Sequence, residues 1–395
     1  MNDAPETGFP VRKLLTHAHP DLDACLSAYL LRRHGEELFP GVGRAEVIFT
    51  SADRMPENRT ALDLEADGVL TVDTGGGRFD THPTAEEDNA EKWATCAAAL
   101  VAEALGVRSR PEYRFLLHFV VAHDARGQSL TSRDSAHHLM APPSLLEGLH
   151  RLVGDDGGVL ETAMDLIDGL AASARGDEPP LEETAGRFDR TLAAFLEREP
   201  VPESGHERKQ PDEWPAEGVS HAIAREKGVT LRRDLEKLLR TAARLLAGRA
   251  EALPEREEER RMLLPAALDG LARLHGDGGE DYLARALLLV GAAVQRERDW
   301  YSALDEVQRS ARMVRGRGIT LVAIASRNGL VIKAARYRRR ADAILYMDPG
   351  TGFVTVQAGR KNDGKPTLNL PRIAGRLRIA EQVKREENKL LQNPT

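Results

Sequence analysis

Short apolar runs alternate with longer amphipathic stretches in the first third of the chain. The short runs, rich in Val, Ile, Leu, Phe and Thr, cover residues 11–18, 45–52 and 68–75. The gaps between them leave room for helices, and residues 24–34 place Leu and Tyr side chains on one side of a helix. Strands that alternate with helices predict a parallel sheet with crossover helices, so we expect an α/β lobe here.

Helical periodicity then dominates the middle of the chain. An alanine-rich run from Glu91 to Leu105 ends at Gly106, and a second run extends from Pro111 to Asp124. Five further helical patterns follow, and in the last three of them the Arg/Glu alternation is typical of solvated helix faces rather than of a binding surface. They cover residues 145–170, 181–199, 229–250, 255–274 and 281–312.

The pattern changes again near residue 318. Four apolar runs are separated by Gly-containing turns, which indicate strands and hairpins, and a final helix is predicted over residues 370–391. The runs cover residues 319–326, 329–335, 342–348 and 352–359. The predicted fold class is therefore α/β, with three parts. These are a parallel-sheet catalytic lobe (1–140), a long helical connector (141–315) and a small basic α+β domain (316–395).

Composition narrows the class of protein. With 395 residues, 41% hydrophobic and 30% charged, the chain is long enough for more than one core, and its composition argues against global disorder. Its two cysteines, Cys25 and Cys96, form neither a disulfide framework nor a zinc ribbon. No apolar leader and no apolar run of about 20 residues is present, so we expect a cytoplasmic protein without a membrane span.

Charge is distributed unevenly along the chain. From Arg312 to Thr395 there are 18 Lys and Arg against 6 Asp and Glu, so the net charge of −7 hides a basic end joined to an acidic body. The basic end is either an ordinary solvated surface or a clamp for a phosphorylated substrate.

Imidazole and carboxyl groups occur at four places, each directly after an apolar segment. Parallel strands bring their carboxyl ends together, so these groups are expected to converge and to hold one or two Mn²⁺ or Mg²⁺ ions. Two such ions activate water and neutralise charge on a phosphoryl group. An alternative for Asp21 is a helix cap, and for Asp80 a turn. The candidates are His17, His19, Asp21, Asp23, Asp73, Asp80, His82, His123 and Asp124, whereas His34, His118, His137, His138 and His150 are interpreted as structural or surface groups.

The order of these groups resembles the four motifs of the DHH phosphoesterase superfamily. The motifs are His17-x-x-x-Asp21-x-Asp23, Val72-Asp73, Phe79-Asp80-Thr81-His82-Pro83 and Ala122-His123-Asp124. The resemblance implies a DHH-type lobe in which the first motif, Asp73 and Asp124 ligate metal, with Asp73 as the bridging carboxylate. It also implies that His82, with Asp80, acts at the substrate phosphate.

This chain departs from the family pattern in its third motif, where Thr81 replaces the first histidine of the Asp-His-His triplet. One metal position is then weakened, or a histidine from His82, His19 or His123 fills it. The terminal region lacks the Gly-Gly-Gly-His run of the nuclease branches. The pair Arg360-Lys361 is similar to the phosphate-gripping Arg-Lys pair of the pyrophosphatase branch, and Arg372 and Arg376 are further candidates unless they form an exposed helix face.

The sequence thus predicts a metal-dependent phosphoesterase acting on phosphodiester or phosphoanhydride bonds. Its expected partner is a phosphorylated small molecule, a nucleotide or a short single-stranded nucleic acid, and a homodimer is an open alternative. An aromatic content of 5% argues against a long stacking channel for single strands. The first alternative is a catalytically degenerate nucleotide-binding or nucleic-acid-binding protein of the same fold, and the second is an interaction scaffold built on the middle helices.

Overall fold

A computed structural model gives the arrangement of most of the chain. Within it the backbone divides into two compact units, Met1–Arg296 and Glu297–Thr395. The structure describes residues 9–51, 55–56, 59–82, 95–125, 140–175, 261–276, 280–316, 319–339, 341–350 and 352–358.

Three parallel strands form the sheet of the first unit, in the order β2-β1-β3. In the central strand, Leu14 pairs with Val47 on one side and with Leu70 on the other. Leu14 and Leu15 are both buried, as expected for a parallel strand that is covered on both faces. The predicted α/β class with a parallel sheet is confirmed. The strands are β1 (Lys13–His17), β2 (Glu46–Thr50) and β3 (Val69–Thr71).

The described helices of the predicted connector share the hydrophobic core of this sheet. The second half of the last one contributes Ala303, Leu304 and Val307 to the core of the second unit instead. The periodic stretch at residues 145–170 is two helices rather than one, because Gly154 takes a left-handed conformation (φ 83°) and Asp155 caps the next helix by accepting from the Gly158 amide at 2.7 Å. The helices are α1 (Leu22–His34), α2 (Ala61–Ala66), α3 (Ala97–Ala104), α4 (Pro111–His123), α5 (Pro142–Val153), α6 (Asp156–Ala174), α7 (Leu264–His275) and α8 (Glu280–Ser310).

Glycine allows helices α6 and α7 to approach backbone to backbone. A methyl group added at Gly270 would collide with the Gly169 carbonyl, and one added at Gly169 would collide with the Ala267 carbonyl. A glycine also allows α5 to pack closely against α8, because a methyl group added at Gly148 would collide with the Ala292 carbonyl. These helix crossings therefore depend on small residues.

The second unit has a four-stranded sheet in the order β4-β5-β6-β7. The run at residues 329–335, predicted as part of a strand-and-hairpin pattern, is instead the start of a helix, α9 (Val331–Arg339). Because this helix is a crossover, β5 and β6 are parallel, whereas β6 and β7 form the predicted antiparallel hairpin. The strands are β4 (Arg312–Gly316), β5 (Ile319–Ala325), β6 (Ala343–Met347) and β7 (Val354–Ala358).

Several predicted segments lie outside the described residues, among them the helices at 181–199, 229–250 and 370–391. Among the helices that are described, none combines the length and the apolar character needed to cross a membrane. Both cysteines are buried free thiols, which agrees with the absence of a disulfide framework.

Candidate metal centre

The strand order places the carboxyl ends of β1 and β3 side by side. Neighbouring parallel strands end at the same edge of the sheet, so the residues that follow β1 and β3 lie close together. His17 is the last residue of β1, and Asp73 follows β3 by two residues. The fold therefore brings the first and second sequence motifs to one edge of the sheet.

His17 is positioned by hydrogen bonds to both ring nitrogens. Its Nδ1 lies 2.9 Å from the Ala18 carbonyl, while its Nε2 lies 3.2 Å from Asp73 Oδ2 and 3.9 Å from Asp21 Oδ1. A carbonyl only accepts, so Nδ1 carries a proton and Nε2 faces carboxylates alone. Nε2 therefore needs either a second proton or a cation.

The pKa of His17 also indicates that Nε2 needs a proton or a cation. Burial lowers the pKa of His17, but the hydrogen bonds to Asp73 and Ala18 and the charges of Asp73 and Asp21 outweigh it and raise the pKa to about 9. In the absence of a metal the group therefore holds a proton at neutral pH.

Asp73 lies at the centre of the site. Its backbone has a positive φ of 53°, and its amide donates to the Phe79 carbonyl at 2.8 Å, where Val72 also pairs with Phe79. Its Oδ2 faces His17, and its Oδ1 lies 3.7 Å from His82 Nδ1. Burial raises the pKa of Asp73 to about 6 despite the hydrogen bond from His17. The buried carboxylate of Asp73 therefore contacts two neighbouring groups of potential metal ligands, one around His17 and one around His82.

Asp80 fixes the second of these groups. Its two oxygens accept from the Gly76 amide at 2.6 Å, from the His82 amide at 2.9 Å and from His82 Nδ1 at 2.8 Å. The hydrogen bond to Asp80 raises the pKa of His82 to about 9 against a lowering by burial, and the charges of Asp73 and Asp80 add to the rise. Thr81 stands between the two residues and offers no nitrogen, so His82 is the imidazole that this motif presents.

The structure gathers these residues into two sets whose potential ligand atoms lie within 4.8 Å of one another. Asp73 belongs to both, so the two sets meet on its carboxylate. The sets are His17, Asp21 and Asp73, and Asp73, Asp80 and His82. A mixture of imidazole nitrogens and carboxylate oxygens fits Mn²⁺, and the excess of carboxylate also fits Mg²⁺.

Asp21 and Asp23 both carry a structural role. Asp21 Oδ1 accepts from the amides of Asp23 and Ala24, at 2.9 and 3.1 Å, so Asp21 is the cap of α1 as well as a member of the first set. The buried carboxylate of Asp23 accepts from the amides of Ala97 at 2.8 Å and Ala98 at 2.7 Å. It thereby caps α3, whose own N-cap residue provides no side-chain hydrogen bond.

The neighbouring carboxylates of the site also affect the pKa of Asp23. Burial raises its pKa, and the charge of Asp73 raises it further, against the opposing hydrogen bond from Ala98. Asp23 thus lies within electrostatic range of Asp73, although neither of the two sets includes it.

The fourth motif lies at the end of α4. Asp124 is the C-cap residue of this helix, and partial removal from water together with the charge of Asp21 raises the pKa of its carboxyl group. His82 and His17 lower that pKa, so Asp124 lies within electrostatic range of the cluster, although neither of the two sets includes it. The ring of His123 stacks on Phe119 with the centroids 6.2 Å apart. His123 belongs to neither set.

His19 joins different partners. Its backbone amide donates to Asp156 Oδ2 at 3.1 Å, and its ring lies 4.6 Å from the ring of His150, centroid to centroid. His19, His150 and Asp156 form a third set of potential ligands within 4.8 Å. From the sequence alone, His150 is interpreted as a structural or surface group and Asp156 is not singled out. They come from a helical region without a motif, and only the turn at Gly154 brings them together.

The predicted substrate-binding residues fall outside the described part of the chain, at Arg360, Lys361, Arg372 and Arg376. Comparisons with protein-family models, with curated proteins and with solved structures give no match. Any assignment of activity to this chain therefore depends on the geometry of its own residues.

Proposed function

We propose that the chain is a metal-dependent phosphoesterase of the DHH type, acting on phosphodiester or phosphoanhydride bonds of a short nucleic acid, a nucleotide or a small phosphorylated molecule. The observation that carries this proposal is the position of Asp73. Its Oδ2 lies 3.2 Å from His17 Nε2, and its Oδ1 lies 3.7 Å from His82 Nδ1. A carboxylate between two imidazoles can bridge two adjacent divalent ions, which two-metal hydrolytic sites place about 3.5–4 Å apart.

The donor set supports such ions. Without a cation, His17 Nε2 faces only negative oxygens, and carboxylates crowd the same edge of the sheet. His17, Asp21 and Asp73 would hold one ion. Asp73 and His82 would hold the other, with His82 ligating through Nε2 because its Nδ1 contacts Asp80, and Asp124, within electrostatic range, is the candidate third ligand. When bound, Mn²⁺ or Mg²⁺ supplies a Lewis acid for phosphoryl oxygens and lowers the pKa of water.

The protein groups around these positions orient the ligands and hold protons. The Ala18 carbonyl fixes the ring of His17 so that Nε2 faces the site, a second-layer contact typical of metal-binding histidines. Asp80 holds the Nδ1 proton of His82, and two backbone amides hold Asp80 in turn. A protonated His82 would then donate from Nε2 to a phosphoryl oxygen and balance its charge.

His82 has two assignments that metal analysis separates. As a ligand it would take the place left by Thr81, and the His82→Ala variant would lose one equivalent of Mn²⁺. As a phosphate contact it would leave the metal content unchanged and lower only the turnover. In both cases the Asp73→Asn variant would lose the Mn²⁺ held by the two sets, because Asp73 is shared between them.

Hydrolysis of bis-p-nitrophenyl phosphate with Mn²⁺ tests the proposal. We expect activity in the full chain and a loss of roughly 100-fold or more in Asp73→Asn, since the shared ligand is removed. Asp67→Asn is the matched control, because Asp67 is an exposed carboxylate whose ion pair with Arg59 contributes little. Equal loss in both variants, or activity that survives in Asp73→Asn, would refute the assignment.

The presence of Thr81 favours a second candidate, a protein of the same fold that binds a nucleotide or nucleic acid without cleaving it. This candidate predicts no hydrolysis in any variant. It also predicts Mn²⁺-dependent retention of a fluorescent oligonucleotide that Asp73→Asn abolishes and Asp67→Asn preserves. Retention of the oligonucleotide by both variants would exclude a binding role for this site.

A further inference from the structure

His19, His150 and Asp156 come from three different elements and meet on one side of the first unit. His19 lies in the loop between β1 and α1, His150 in the last turn of α5, and Asp156 at the first residue of α6. The Asp156 carboxylate already joins the loop to α6, because its Oδ2 accepts from the His19 amide at 3.1 Å. Two imidazoles and a carboxylate with all potential ligand atoms within 4.8 Å remain to be explained.

The hydrogen bonds of His150 determine which ring nitrogen faces the cluster. Its Nε2 lies 3.1 Å from the Pro20 carbonyl, and since a carbonyl only accepts, Nε2 carries the proton. Nδ1 then presents a lone pair, and it faces Asp156 Oδ1 at 3.7 Å. This separation is too long for a hydrogen bond, so a proton on Nδ1 would not be donated to Asp156.

A metal ion satisfies this geometry. A ligating histidine usually donates its other ring N–H to a backbone carbonyl, as His150 does to Pro20. Two ligand atoms on one tetrahedral zinc ion, at bonds of about 2.1 Å, lie about 3.4 Å apart, close to the 3.7 Å between His150 Nδ1 and Asp156 Oδ1. His150 and Asp156 are largely buried, with 13% and 24% of their side chains exposed, whereas His19 is exposed and would close the site from the solvent side.

We propose that His19, His150 and Asp156 form a separate site for one transition-metal ion, Zn²⁺ in preference to Mn²⁺ or Mg²⁺. Two neutral imidazoles favour borderline metals over hard ones, whereas the carboxylate-rich centre at Asp73 fits the hard ions. With three protein ligands, the site leaves a fourth position open to water or to an added ligand. Bound metal would also fix the loop that carries His19 and Asp21 against α5 and α6.

Zinc retention by the full-length chain tests this site. All variants are made in a chain that already carries Asp73→Asn, called the background here. This substitution impairs the first centre, so zinc retention tests the second site separately from the proposed phosphoesterase centre. Asn suits the positive φ of position 73. After loading with Zn²⁺ and gel filtration, we expect this background to retain one equivalent more than the same chain carrying His19→Ala or Asp156→Asn. His118→Ala, which removes another exposed histidine, should retain as much as the background.

Two further measurements exclude trivial explanations. Asp156→Asn keeps an oxygen that accepts from the His19 amide, so loss of zinc in this variant is not a consequence of a lost loop contact. Co²⁺ used as a spectroscopic probe should give visible bands of low-coordinate, nitrogen-ligated metal that His19→Ala removes. Equal zinc retention in the background, His19→Ala and Asp156→Asn chains, or the absence of retained zinc in all of them, would overturn the proposal whatever the outcome of the hydrolysis assay.

Discussion

Asp21 and Asp23 lie two positions apart, and the same substitution to Asn should affect them very differently. Asp21 accepts both of its backbone hydrogen bonds with one oxygen, Oδ1, and its side chain is 56% exposed. Asp23 uses one oxygen for the Ala97 amide and the other for the Ala98 amide, and it is 2% exposed. Asn retains one carbonyl oxygen, so it can replace Asp21 as a cap but cannot satisfy both amides at position 23.

The expected difference in stability follows from these contacts. Asp and Asn are nearly equal as N-caps, so Asp21→Asn should change the free energy of unfolding by less than about 0.5 kcal/mol. Asp23→Asn places an NH₂ group opposite a buried backbone N–H and leaves that N–H without an acceptor, which costs about 1–3 kcal/mol. Burial and the charge of Asp73 raise the pKa of Asp23, so a neutral side chain relieves part of the repulsion. We therefore expect a net loss of about 2 kcal/mol.

Urea unfolding followed by circular dichroism, with EDTA present, measures this difference without any contribution from bound metal. The two variants are matched in chemistry and differ only in the amides that they serve. Equal stability of the Asp21→Asn and Asp23→Asn chains would show that Asp23 does not cap α3. The reasoning from the two backbone hydrogen bonds would then be wrong.

Other predictions follow from the same contacts. The pKa values of His17 and His82 in the folded chain, both about 9, lie above the ordinary histidine value of 6.5. The stability that these two groups contribute is therefore complete below pH 6.5 and is lost as the pH rises through 9. With EDTA present, the urea midpoint of unfolding should fall between pH 6.5 and 9. Added Mn²⁺ should reverse this fall, because histidines bind metal in their deprotonated form. A midpoint that does not change with pH would contradict the raised pKa values of the two histidines. Gly270→Ala should destabilise the chain by about 1–3 kcal/mol, since the added methyl group meets backbone. Gly291→Ala, whose methyl group meets only the end of the Leu152 side chain, should cost less in the same urea titration, and an equal cost would exclude backbone crowding as the cause.

The sequence predicted the elements whose pattern is local. The parallel sheet, α1 and α4 follow from apolar periodicity and flanking turn residues, and the convergence of the motif residues follows from strand direction. The helix at Val331 was predicted wrongly, because a short apolar run with two β-branched residues matches a strand as well as a buried helix. Strand β4 was missed, since Arg312–Gly316 is exposed along its whole length and carries no alternation.

The details of the site depend on contacts that no local pattern contains. Asp23 can cap α3 only if the first turn of that helix lies against it, although Ala97 and Ala98 are more than seventy positions away in the sequence. The partnership of His19 with His150 and Asp156 requires the turn at Gly154 and the packing of α5 and α6 near the loop after β1. Sequence spacing does not encode such long-range hydrogen bonds.

Backbone conformation provides an independent link between the two candidate metal sites. Among the described residues, only His19 and Asp73 combine a side chain with a positive φ, at 55° and 53°. A left-handed conformation costs a residue with a Cβ atom about 1–2 kcal/mol, and glycine would avoid that cost at either position. Strained residues persist where the surrounding structure holds them, and they concentrate at functional sites. Both residues follow parallel strands β1 and β3, and each belongs to a set of converging ligand-type side chains. The strain therefore coincides with the two places where we propose that a residue after a strand contributes its side chain to a metal site.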